Sequence, residues 1–217
     1  MPTVMVIGAS RGIGLELVRQ YAAADWRVHA TTRTPLQPGA LGASAGDVVL
    51  HALDVRDAQQ IGALAQEVEP EGIDVLIHNA GVAGRGMLPA EVQRINAEAP
   101  IRVAQALLTA VIRSHEKKIV LMTSQLGARR GYTGSLGPYG DSKAALNDAF
   151  RAHAPVWGQR GCLAIVMHPG WVRTDMGGAG APVAVEESVR GMRQVIARIT
   201  PQDHGRFFTW EGREHPW

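Results

Sequence analysis

Apolar residues in this chain fall in short continuous runs, separated by longer stretches in which they recur at helical spacing. The first run, Thr3-Val4-Met5-Val6-Ile7, is too short for a helix and apolar almost throughout, which predicts a strand buried on both faces. A helix is predicted over 15–24, then strands at 27–32 and 48–53 and a helix at 56–69. The pattern continues with a strand at 73–78, a long helix at 91–114 and a strand at 118–123. A helix carrying Tyr139 and Lys143 comes next, then a strand at 163–167, a helix at 185–199 and a last short strand at 206–210. Such alternation predicts an α/β fold, a doubly wound parallel sheet of about seven strands with helices on both faces. Sheets of this kind bind ligands beyond the carboxyl ends of their strands, which places Gly8, Asp54, Asn79, Ser124 and Pro169 along one edge. Pro155, late in the helix that begins near Tyr139, predicts a bend or an early end there.

Composition narrows the picture. With 217 residues and no internal repeat, the chain suits one domain, and residues 35–46 read as a loop and not as a linker. Hydrophobic residues make up 46% and charged residues 19%, as in ordinary globular proteins. No apolar run reaches the ~18–20 residues that cross a bilayer, so no membrane partner is expected. The first strand begins at Thr3 and leaves no room for a secretory leader, which makes the cytoplasm the expected compartment. The net charge of +2 comes from scattered residues, so no nucleic-acid partner is expected. Cys162 is the single cysteine, excludes an internal disulfide and reads as a buried strand residue. The eight histidines form no H-x-x-x-H or H-E-x-x-H pair, so no metal site is expected.

Two local patterns carry chemistry. The first strand runs into Gly8-Ala9-Ser10-Arg11-Gly12-Ile13-Gly14 and then a helix, the context of a dinucleotide-binding loop. There Gly8 permits a tight turn, Gly12 lets backbone approach a pyrophosphate, and Gly14 lets the helix pack on the strand. The spacing is G-x-x-x-G-x-G, not the commoner G-x-G-x-x-G. The second pattern is Tyr139 followed four residues later by Lys143, on one helical face. A neighbouring ammonium favours the phenolate and is expected to lower the tyrosine pKa toward the useful range for a general acid or base. As a control, Tyr21 reaches Asp25 and Tyr132 reaches Leu136 at the same spacing.

With these patterns the chain resembles the short-chain dehydrogenase/reductase superfamily over nearly its whole length, and its small carbonyl-reductase branch with C-factor and sniffer proteins in particular. His78-Asn79-Ala80-Gly81 and Pro169-Gly170-Trp171-Val172-Arg173-Thr174 match further family segments. The branch resemblance rests on residues 168–178, Glu186-Glu187-Ser188 and Gly205-Arg206-Phe207-Phe208. It implies a single Rossmann-type domain and a catalytic set of Asn96, Ser124, Tyr139 and Lys143. It also implies cofactor contacts from Gly8, Ser10, Arg11, Gly12, Ile13, Gly14, Arg33, Asp54, Val55, Asn79, Ala80 and Gly81. Tyr139, Lys143, Pro169, Gly170, Val172 and Thr174 complete that implied set. Asn96 would hold a water beside Lys143, and the helices at 91–114 and from Tyr139 onward would pair chains into a homodimer or homotetramer. Two features depart from the family pattern. The gap from Ser124 to Tyr139 is longer than usual, and His78 stands where asparagine is commoner.

The implied activity is hydride transfer between a nicotinamide cofactor and a small carbonyl or alcohol. NADP(H) is expected over NAD(H), because the second strand ends Ala30-Thr31-Thr32-Arg33 with no acid to take a ribose 2′-hydroxyl. Arg33 offers a planar fork suited to a 2′-phosphate, and Arg11 lies within reach of the same group. Several alternatives stay open. Asp54 either caps the following helix or faces adenine, and Thr123 or Ser135 competes with Ser124 for its role. His168 and Trp171 read as packing residues. A dinucleotide-binding signalling or sensor protein with little turnover is the alternative function.

Overall fold

Successive strand residues leave a sheet on opposite faces, and the central strands here are apolar on both, so they feed two cores. Met5 and Ile7 enter one core and Val4 and Val6 the other, all fully buried. The chain is described as a computed structural model over residues 1–130 and 134–217. Its strands are β1 (Thr3–Ile7), β2 (Arg27–Thr32), β3 (Val48–Ala52), β4 (Val75–His78), β5 (Lys118–Met122), β6 (Leu163–His168) and β7 (Phe207–Thr209). They form one sheet in the order β3-β2-β1-β4-β5-β6-β7, and every neighbouring pair is parallel. The order reverses between β1 and β4, the topological switch point at which such sheets bind ligands.

Helix α1 (Gly12–Ala22) and α7 (Val185–Arg198) cover one face. The other carries α2 (Ala58–Val68), α3 (Pro89–Gln93), α4 (Ala99–Ala106), α5 (Leu108–Arg113) and α6 (Gly137–Gln159). Cys162 is buried just before β6, where its apolar surroundings push the thiol pKa up.

The expected continuous helix over 91–114 is broken. A π turn at Arg94–Glu98 separates α3 from α4, and Leu107 separates α4 from α5. Pro100 sits in the first turn of α4, where its missing N–H is tolerated. Pro155 does not end α6, which continues to Gln159. The turn beyond it is secured by Trp157, buried near Phe150, and by His204, whose Nε2 lies 2.9 Å from the Ala154 carbonyl. The loop over 35–46 contains a short 3₁₀ turn at Gly39–Ala43. Tyr132 lies outside the described residues, as does the middle of the long span between Ser124 and Tyr139.

Candidate active site

The glycine turn after β1 is built by close backbone approach. Gly8 has φ +84°, and a Cβ there would lie 2.7 Å from Ala80 Cα. A Cβ at Gly14 would lie 2.0 Å from the Gly8 carbonyl oxygen, so α1 rests on the turn only because residue 14 has no side chain. The Gly8 N–H donates to Thr31 Oγ1 at 2.9 Å, and Asn79 Nδ2 donates to the Gly8 carbonyl at 2.9 Å. Arg11 occupies the N-cap of α1 without a side-chain cap bond, so no side chain blocks the leading amides of the helix. This is a cradle for an anion.

Beyond the cradle lies an open cavity of about 700 Å³. Of the expected residues it is lined by Gly8, Ser10, Arg11, Gly12 and Ile13 of the loop, by Arg33, Asp54 and Val55, and by Asn79, Ala80 and Gly81. Tyr139, Lys143, Pro169 and Thr174 line it as well. Gly14, Asn96, Ser124, Gly170 and Val172 do not: they support the walls or lie beside them.

The Tyr139–Lys143 turn of α6 is held against the end of β5. Lys143 is 5% exposed and donates from Nζ to the Met122 carbonyl at 2.9 Å, with Nζ 5.9 Å from the centre of the Tyr139 ring. Burial lowers its pKa from 10.5 to about 8. The Tyr139 phenol is not lowered as expected. Burial pushes it above its ordinary value, and the nearby Ser124 hydroxyl pulls it back in part. Desolvation sets the direction, and the neighbouring ammonium directs its proton at a backbone carbonyl instead.

Ser124 is buried at the start of a 3₁₀ turn, Gln125–Gly127, and its Oγ accepts from the Leu126 N–H at 3.1 Å. A Cβ at Gly127 would lie 2.6 Å from the Lys143 carbonyl carbon, so this turn packs directly on the backbone of α6. Thr123 is committed elsewhere, donating to Asn147 Oδ1 at 2.6 Å, and Ser135 is exposed and bonded to Asp141. Ser124 is the hydroxyl left beside the tyrosine.

Asn96 is fully buried inside the π turn, a feature that often marks functional sites. Its Oδ1 accepts from the Val82 N–H at 2.8 Å, while Nδ2 donates to the Val82 carbonyl at 2.8 Å and to Ser142 Oγ at 3.0 Å. Both side-chain protons are thus used. Ser142 in turn donates to the Tyr139 carbonyl at 2.7 Å. Sequence reasoning missed Ser142, although a polar residue next to Lys143 in a core-facing position was the available signal. It also missed Thr31.

Two expectations change at the cavity rim. Asp57 caps α2, accepting from the Gln59 and Gln60 N–H groups, so Asp54 does not. Asp54 instead accepts from Arg56, which holds its carboxyl at about 2. Arg11 forms an exposed ion pair with Asp175 at 2.8 Å. Trp171, expected to pack, is 57% exposed, with its indole N–H donating to the Gly177 carbonyl. His168 is buried as expected, at a pKa of about 4 set by burial and by His215.

A parallel sheet with a glycine cradle at its switch point and a Tyr–Lys turn whose lysine is buried defines a nicotinamide-type oxidoreductase. A sequence model of the short chain dehydrogenase family matches residues 2–182. C-signal of Myxococcus xanthus is 38% identical over 164 residues, 71% of this chain and 99% of that protein. The NADPH-bound carbonyl reductase from chicken fatty liver superposes with a TM-score of 0.88 at 32% identity, covering 100% of this chain and 99% of that one. The carbonyl reductase Sniffer of D. melanogaster does so with a TM-score of 0.88 at 27% identity, each chain fully covered. The chain belongs to the short-chain dehydrogenase/reductase family, as an oxidoreductase of its carbonyl reductase-like branch.

Proposed function

We propose that the protein is an NADPH-dependent reductase of small-molecule carbonyls, acting through Asn96, Ser124, Tyr139 and Lys143. The observation that carries this reading is the convergence of the Gly8–Gly12 cradle with Tyr139 and Lys143 on one cavity. The residues fit the cofactor. A Cβ at Gly8 would press on Ala80, and the leading amides of α1 are free of a side-chain cap. Loop and helix would hold the pyrophosphate, Asn79 to Gly81 and Pro169 to Thr174 the nicotinamide side, and Asp54 and Val55 the adenine. When bound, the nicotinamide supplies the hydride.

Ser124 donates a hydrogen bond to the substrate oxygen and stabilises charge developing there. Tyr139 gives that oxygen its proton. A phenol held above its ordinary pKa stays protonated at neutral pH and has that proton to give. Lys143 holds the nicotinamide ribose. Asn96 fixes the π turn through its side chain, and a water beside Lys143 would be held by its backbone carbonyl. The chain acts as one domain carrying its own site, in the cytoplasm, as a homodimer or homotetramer. Among the described residues no helix is long and apolar enough to cross a membrane.

NADPH consumption with aldehydes, diketones and quinones tests the reading. Turnover with any of them supports it. Cofactor binding without turnover would favour the signalling alternative, to which the similarity with C-signal points.

The pH dependence has a definite sign. Lys143 titrates near 8 in the fold, so kcat/KM for NADPH should fall as pH rises through about 8 and the ammonium is lost. A lysine pKa depressed on folding means that the unfolded chain binds more protons between about 8 and 10.5. The contribution of Lys143 to stability therefore rises over that window. This kcat/KM should fall while the Lys143 contribution to stability rises, and Lys143→Arg should flatten the falling limb. A flat wild-type profile from pH 7 to 10 would remove the role.

A further inference from the structure

The Ser124 segment is held at its far end by residues distant in sequence. Arg130 has φ +48°, a left-handed conformation strained for a residue other than glycine. Its N–H donates to the Trp217 carbonyl at 3.0 Å, and its guanidinium lies 3.1 Å from His215 Nε2. Arginine only donates, so His215 Nε2 must accept. The ring proton then sits on Nδ1 and donates to the Pro216 carbonyl at 2.7 Å. His215 is itself fixed: it is 8% exposed, its N–H donates to the Phe207 carbonyl at 2.7 Å, and its ring lies 4.5 Å from that of Phe207. The Trp217 ring packs near Phe150 of α6 and Phe207 of β7, with the Arg151 guanidinium 5.4 Å from its centre.

We propose that His215, Trp217 and Arg130 form a clasp that positions Ser124 for the carbonyl substrate. They are positioning residues, acting through residues 124–130, and the inference rests on the carbonyl-reducing reading above. The segment between Ser124 and Arg130 has other supports: Gly127 against Lys143, a buried bond from Asn147 Nδ2 to the Gly127 carbonyl at 3.2 Å, and the exposed Arg129–Asp148 pair at 2.6 Å. An exposed pair contributes little. The clasp combines backbone and side-chain bonds to one strained residue, and strain of this kind persists only where its surroundings hold it.

The test compares His215→Leu, His215→Gln and Arg130→Ala with the wild type. His215→Leu and Arg130→Ala should raise KM for the carbonyl about 10-fold, the scale of one hydrogen bond involving a charged group, and leave KM for NADPH within about twofold. His215→Gln, which keeps an acceptor, should fall between. Amide hydrogen exchange over 126–130 should speed up about 10-fold in His215→Leu while that of α1 stays unchanged. Unaltered carbonyl KM and unaltered exchange at 126–130 would overturn the clasp. If the wild type reduces no carbonyl at all, the reading of function fails instead, and the exchange measurement alone decides whether the clasp holds this segment.

Discussion

Tyr139→Phe should lower turnover by at least ~10²-fold while leaving NADPH binding largely intact, the lower end of what losing a general acid costs. That factor is about 2.7 kcal/mol of transition-state stabilisation. The ring itself is retained, so the packing around Lys143 and the Lys143 bond to the Met122 carbonyl should survive. Only the hydroxyl beside Ser124 is lost. The loss should be in kcat, because the proton moves in the transition state, and the Kd for NADPH, read by fluorescence titration, should hardly change. Near-normal turnover in this variant would remove the central claim.

How the sequence foretold this site depends on how local each determinant is. The central strands were legible because they are apolar on both faces, and such runs are read with no knowledge of neighbours. Gly8 and Gly14 were legible for a related reason: the turn leaves no space for a Cβ, with 2.0 Å between a Cβ at Gly14 and the Gly8 oxygen. The Tyr139–Lys143 pair follows from helical spacing alone.

What was hidden is tertiary. The break in the expected helix over 91–114 centres on Asn96, whose amide is bound to the backbone of Val82, fourteen residues away. No periodicity within the helix reports that contact. Pro155 was read as a bend or an early end, and the early end fails because Trp157 and His204 hold the following turn. Asp54 and Asp57 both precede α2, and only geometry shows that Asp57 caps it. The Tyr139 pKa is the clearest case. Sequence shows the lysine beside the phenol but not the burial of both, and burial decides the direction. Ser142 was passed over because its partners, Asn96 and the Tyr139 carbonyl, meet only in the fold.

Cofactor choice is the remaining consequence with a large expected effect. Arg33→Ala should weaken NADPH far more than NADH, by about 1.5–3 kcal/mol for a charge-assisted contact, or roughly 10- to 150-fold in Kd. Three arginines line the cavity: Arg11, Arg33 and Arg56. Arg56 is committed to Asp54 and Glu91, and Arg11 is paired with Asp175. Arg33 is exposed directly after β2 and, among the described residues, forms no ion pair, although its charge helps lower the Asp54 carboxyl. It is the cation free to meet a 2′-phosphate without breaking another contact. The two residues before it are Thr31, whose hydroxyl accepts from Gly8, and Thr32, so no carboxylate there repels the phosphate. Arg11 would have to leave Asp175 to contribute, a small cost for an exposed pair, so Arg11→Ala should weaken NADPH less than Arg33→Ala does. Titrating each variant with both cofactors separates the cases. Equal wild-type affinity for NADH and NADPH, or a loss shared alike by both in Arg33→Ala, would overturn the assignment.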